Sequence, residues 1–93
     1  SVINDVCKEL ARDDKWAKSI ITQPRVLWVS SLGESGVQIK VVGDVKPLQQ
    51  WDVMGEIRLR LKKAFDAEGI EIALPHIKVY FGNPPGPGAT GSD

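Results

Sequence analysis

The residues able to do chemistry are few and scattered. The single histidine, His76, stands between Pro75 and Ile77 with no second histidine or cysteine at ligand spacing. A structural or catalytic metal needs about three or four converging ligands, so neither a metal nor a cofactor is expected. The single cysteine, Cys7, falls on the apolar stripe of an N-terminal amphipathic segment. There a thiol is a small buried hydrophobe, not a nucleophile. Asp13 and Asp14, and again Asp66 and Glu68, bring carboxylates close together. Both pairs lie near helix ends on polar faces, where solvated charge is the ordinary reading. The glycines of LGESGV (32–37) suggest a phosphate cradle only weakly, because no GxGxxG or GxxxxGK pattern is present and a strand follows instead of a helix. No catalytic, cofactor-binding or metal residue is assigned, and the chain reads as a non-enzyme.

Bulk properties narrow the field further. The 93 residues suffice for one small core. Twelve basic and twelve acidic residues give zero formal charge. A nucleic-acid surface needs a basic surplus to replace phosphate counterions, so no nucleic-acid partner is expected. Trp28, Tyr80 and Phe81 could furnish an aromatic sheet for RNA, but the basic aromatic-rich strand motif of such modules is missing. One cysteine excludes an internal disulfide. No run approaches the roughly 18 apolar residues of a membrane span, so the fragment itself is expected to be soluble. The chain starts without methionine, already on a helical repeat, and reads as a piece of something longer.

The elements follow from periodicity. Val2, Ile3, Val6, Cys7, Leu10 and Ala11 recur at helical spacing, with Ser1 placed as N-cap and an end near 12–14. Residues 15–21 leave a second turn open, with Trp16 and Ile20 placed to fold back on the core. Gln23–Pro24 marks a break. Residues 25–32 and 37–42 are β-branched and aromatic, and the turn tetrad 33–36 between them signals a hairpin. In the second strand Val37, Ile39 and Val41 alternate with Gln38, Lys40 and Val42. The unbroken run from Val26 to Val29 suggests that the first strand is central or covered on both sides.

Pro47 is placed to open the next helix. Trp51, Met54, Ile57, Leu61, Ala64 and Phe65 put one face of that helix on the core as far as about Glu68. Glu56 and Arg60 stand four apart as a favourable pair. Leu59 lies off the stripe, as either an incidental exposed leucine or a contact with another subunit. Gly69 is placed as a left-handed stop, with Ile70 in the apolar position of a Schellman cap. Residues 70–72 form a short extended piece, and 77–81 the last strand. The order α-β-β-α-β, with one strand placed before Ser1, is that of a ferredoxin-like split βαβ sandwich. This is an α+β fold with two helices on one face of a mainly antiparallel sheet. Residues 1–82 form the domain, and the Pro/Gly-rich 83–93 a flexible tail.

Residues 63–76 read KAFDAEGIEIALPH. This run, with its Trp-Asp-Val entry at Trp51 and the LGESGV hairpin upstream, resembles the C-terminal cytoplasmic domain of small-conductance mechanosensitive channels, the MscS-like family. Family members commonly show a KEAFDEAGIEIPFPQ-like run and an LGDSSV hairpin. Ala73 replaces the first proline of the family's PFP turn, and Ile77 stands where a polar residue is common.

The resemblance implies a homo-oligomeric parent, heptameric in the family, whose membrane pore opens under tension and releases ions and small osmolytes on osmotic downshock. It implies that this chain belongs to a cytoplasmic cage below the inner membrane, and that the membrane is reached through segments upstream. It places 70–72 in the local sheet. It lets the last strand join a narrow barrel formed by all subunits, which makes Ile77, Val79 and Phe81 candidates, beside Leu59, for the contact between subunits; the other reading is that 77–81 simply pairs within its own sheet. The alternative is a small-ligand-binding or regulatory ferredoxin-like module of a soluble protein.

Overall fold

A computed structural model describes residues 2–31 and 36–82. The expected N-cap at Ser1, most of the hairpin tetrad and the tail 83–93 lie outside these residues.

Helix α1 (Val2–Arg12) buries Val6, Cys7 and Leu10 on its apolar stripe. One residue on, Asp13 caps the single-turn helix α2 (Asp14–Ala17), its Oδ1 accepting from the Lys15 amide at 2.9 Å. That turn swings Trp16 and Ile20 back against the core, as their apolar character suggested. Strand β1 (Arg25–Ser31) pairs antiparallel with β2 (Val37–Val42), which gives the expected hairpin. Helix α3 (Gln50–Ala67) then crosses the sheet. A 3₁₀ turn, Leu74–His76, leads into β3 (Ile77–Gly82), which runs parallel to β2. A parallel pair needs a long crossover, and α3 supplies it.

The α+β class stands, with both long helices on one face of the sheet. The order is β1-β2-β3, and the sheet is mixed: one antiparallel pair and one parallel pair. In a split βαβ arrangement another strand intervenes between the parallel two; here β2 and β3 pair directly along their whole length, from Val37↔Ile77 to Val42↔Gly82. Strand β2 is therefore the centre. Val37, Ile39 and Val41 point into the core, as their alternation predicted, and Val42 is buried too.

Strand β1 is an edge, contrary to the reading of its apolar run. Leu27, Trp28 and Val29 are 52%, 42% and 48% exposed. The register shifts between Val26 and Trp28. Such an irregularity breaks the in–out alternation, so consecutive apolar residues need not mean burial on both faces.

The α3 stripe is Val53, Ile57, Leu61 and Phe65, each four residues on from the last. At about 100° per residue this row drifts around the helix, which suits a helix lying obliquely across strands. Trp51, expected on the stripe, lies off this row and is 62% exposed; Val53 takes its place. The helix ends as predicted. Gly69 has φ +78, its amide donates to the Asp66 carbonyl, and the Ile70 amide reaches back to Phe65 at 2.8 Å. These are the two bonds of a Schellman cap.

Two other expectations need correction. Residues 70–73 join no strand; Ile72 packs on the core from outside the sheet. Pro47 does not open α3. It sits in a turn closed by the Gln49 amide on the Lys46 carbonyl, with Leu48 at φ +66. Proline followed by a left-handed residue is the type II pattern, and the helix starts only after the turn closes.

The parallel pair starts at a tight junction. Gly36 and His76 immediately precede the partners Val37 and Ile77. Gly36 has φ +111, and a Cβ there would collide with the carbonyl oxygen of His76. Gly36→Ala is therefore expected to cost about 2–4 kcal/mol, from left-handed strain plus displaced backbone. Gly69→Ala meets no atom within 4 Å and should cost less, the left-handed strain alone, about 1–2 kcal/mol. Urea unfolding of both variants checks this; equal losses would contradict the contact at His76.

Candidate interaction surfaces

The residues singled out for chemistry lie in different settings. Cys7 is fully buried between the helices and the sheet, and burial pushes its thiol up to about 11. A neutral, enclosed thiol is no nucleophile at pH 7. His76 is exposed on its 3₁₀ turn. Among the described residues no group of His, Cys, Asp or Glu could hold a metal ion, and no polar or charged side chain is buried.

Asp13 has a role that the sequence reading left as solvated charge. Its Oδ2 accepts from the Arg60 Nη2 at 2.7 Å, while the Arg60 Nε donates to Glu56 Oε2 at 2.8 Å. One guanidinium thus ties the corner between α1 and α2 to the middle of α3. The Glu56–Arg60 pair was legible from its four-residue spacing. The Asp13 partner lies 47 residues away, and no local pattern announces it.

The Arg60 hydrogen bond, aided by the Lys15 amide, holds the Asp13 carboxyl below its ordinary range. For Arg60 itself, burial pulls the pKa down. The bonds to Glu56 and Asp13 outweigh that, so it lies above the usual value.

A carboxyl whose folded pKa is depressed contributes stability that is present above its unfolded value, about 3.9. That stability is lost as pH falls through the folded value. Asp13→Asn keeps a capping side chain and removes only the charge. It should lower Tm at pH 7, and the gap should close as the pH is taken well below the carboxylate range. A gap independent of pH would assign the effect to capping.

The subunit-contact candidates separate into two kinds. Leu59 is 47% exposed on the side of α3 turned away from the sheet. Ile77 is wholly enclosed by its own chain, and Val79 and Phe81 are half-buried against the same core. The structure therefore does not bring the four together.

It does show surface features that the sequence reading passed over. A groove of about 330 Å³ runs between α3 and the outer edge of β3, with Trp51 and Tyr80 at its rim. The one signal for it was Trp51, whose helical spacing admitted it to the core stripe. Opposite β3, β1 forms the other edge of the sheet.

Comparison with known proteins gives a consistent result. Residues 1–72 match the sequence profile of the family described as mechanosensitive ion channel MscS, C-terminal. A small-conductance mechanosensitive channel from Caldanaerobacter subterraneus subsp. tengcongensis is 33% identical over 79 residues, which cover 83% of this chain and 26% of the relative. The chain thus spans about a quarter of the length of the relative it matches. No solved structure matches it. The match over residues 1–72, most of the chain, shows that it belongs to the family of MscS C-terminal domains.

Proposed function

We propose that this chain is the cytoplasmic cage and assembly domain of a mechanosensitive ion channel, with no catalysis of its own. The parent opens under membrane tension and releases ions and small osmolytes on hypoosmotic shock. Its copies form a homo-heptamer, with this domain on the cytoplasmic side of the inner membrane. The family match over residues 1–72 carries the reading. The physical chemistry supports it: the buried groups are apolar, the thiol is sealed, and what the domain offers a partner is surface. Among the described residues no helix is long and apolar enough to cross a membrane, so the pore is supplied by chain outside them.

In this reading Leu59 and the exposed parts of Val79 and Phe81 meet neighbouring copies, and Ile77 supports them from within the core. The test is expression of the full-length parent in cells lacking their own mechanosensitive channels. Survival of downshock and tension-gated current in patches are expected; their absence in a protein that reaches the membrane would contradict the channel role. Leu59→Asp should change the domain's own stability by no more than about 0.5 kcal/mol, as surface substitutions do. It should weaken assembly of the parent, read as native mass in detergent. Unchanged assembly would remove Leu59 from the contact.

A further inference from the structure

A larger groove, of about 590 Å³, runs between α1 and α3 on the solvent side of the helix layer, lined by those two helices and the cap of α3. Side-chain spacing and size create it. On α1, Val2, Asp5, Val6 and Glu9 recur at steps of three and four, which puts two valines and two carboxylates on one face. Ala64 and Ala67 face them from α3, and a methyl group leaves space that a longer side chain would fill. Val6 is buried and Ala64 packs on the core, whereas Val2 is 37% exposed and Ala67 is exposed too. The floor is therefore apolar and open to solvent.

Charge gives the groove a sign. The ion pairs of the described residues are Arg60 with Asp13 and Glu56, and Lys62 with Asp66. Arg60 and Glu56 both line the groove and are committed to each other. Asp5, Glu9, Lys63 and Glu68 also line it and are in none of these pairs, which leaves three carboxylates against one ammonium. The last turn of α3 carries no basic residue, so the negative end of the helix adds to the carboxylate of Glu68. In a chain of zero net charge this local surplus beside an apolar floor favours a cationic partner.

We propose that this groove docks a basic amphipathic helix of a partner protein, laid along α1 and α3 as a third helix. Its α3 wall runs from Glu56 to Glu68, about 18 Å at about 1.5 Å per residue, which matches about three turns of a partner. Apolar side chains three and four apart would lie over Val2, Val6, Ala64 and Ala67, and flanking lysines or arginines would reach Asp5, Glu9 and Glu68. Helix-in-groove binding takes its anchors at this spacing. The tail 83–93 carries no lysine or arginine, and a second copy has no net positive charge to offer. A small polycation could use the carboxylates but has nothing to lay on the valines. Leu59 does not line the groove, so this docking goes beyond the channel role and does not require it.

The test uses the 93-residue chain and a capped peptide of about 14 residues, with leucine at helical spacing and lysine flanking it, followed by NMR. Saturable binding is expected, with shifts centred on the amides of 2–9 and 56–68 and helical contacts within the bound peptide. Glu9→Lys combined with Glu68→Lys should weaken binding about tenfold or more. The fold should survive, because both residues are exposed and a cation suits the end of α3. Ala67→Arg, which puts bulk and like charge into the groove, should abolish binding without lowering Tm. No binding at millimolar peptide, or equal binding of a peptide with glutamate in place of the lysines, would overturn the proposal. So would binding unaffected by the double reversal. Shifts at 2–9 and 56–68 that grow with protein concentration alone would overturn it too, assigning the groove to a second copy. Spermidine binding there with none of the peptide would do the same, assigning it to small polycations.

Discussion

Strand β2 is hydrogen-bonded on both edges and carries the floor of the core on one face. Val37, Ile39 and Val41 lie under α1 and α3 together. Antiparallel pairing to β1 is local and needs only a turn. Parallel pairing to β3 requires the chain to leave β2, cross the sheet as α3 and return in register. Every other part of the domain depends on that return. The oblique row Val53, Ile57, Leu61, Phe65 sets how α3 lies on the sheet, and Gly69 ends it where the chain must turn back. Gly36 lets the start of β2 come against the backbone of His76, which fixes the first pair of the parallel ladder. Large-to-small changes at such fully buried residues typically cost about 2–5 kcal/mol, well above what a surface ion pair contributes. Packing, not charge, holds the domain together.

The same arrangement leaves much apolar surface exposed. A small domain covered by helices on one face spends its apolar residues there and, among the described residues, leaves the other face and both edges open. Cys7 is sealed into the covered side. Of the exposed apolar residues, Leu27 to Val29 lie on β1, Tyr80 on β3, Val2 on α1 and Trp51 and Leu59 off the core stripe of α3, while Ile21, Leu48 and Ile70 lie in the connections.

Much of this was legible in the residues, for identifiable reasons. The helix stop at Gly69, the alternation of β2 and the stripe through Ile57, Leu61 and Phe65 are local patterns, and local patterns fix local geometry. So is the apolar placement of Cys7, Trp16 and Ile20. What was misread depends on distant partners. Whether the run Val26–Val29 is central depends on which strands flank it, and a register shift beside Trp28 mimics the composition of a buried strand. Trp51 fits a helical repeat, but the direction of the ridge, set by the sheet beneath, selects Val53. Asp13 finds Arg60 only once α1 and α3 lie side by side. Of the contact candidates, Leu59 was recognisable as off the stripe, whereas the enclosure of Ile77 follows from the parallel pairing that no local signal encodes.

The central claim is the direct parallel ladder between β2 and β3. Nuclear Overhauser contacts across the two strands, with amide exchange along β2, test it most directly. The account predicts parallel-type contacts linking Ile39 with Val79 and Val41 with Phe81, and β2 amides among the slowest to exchange. Absent or antiparallel contacts, with β2 amides that exchange as fast as a free edge, would contradict it.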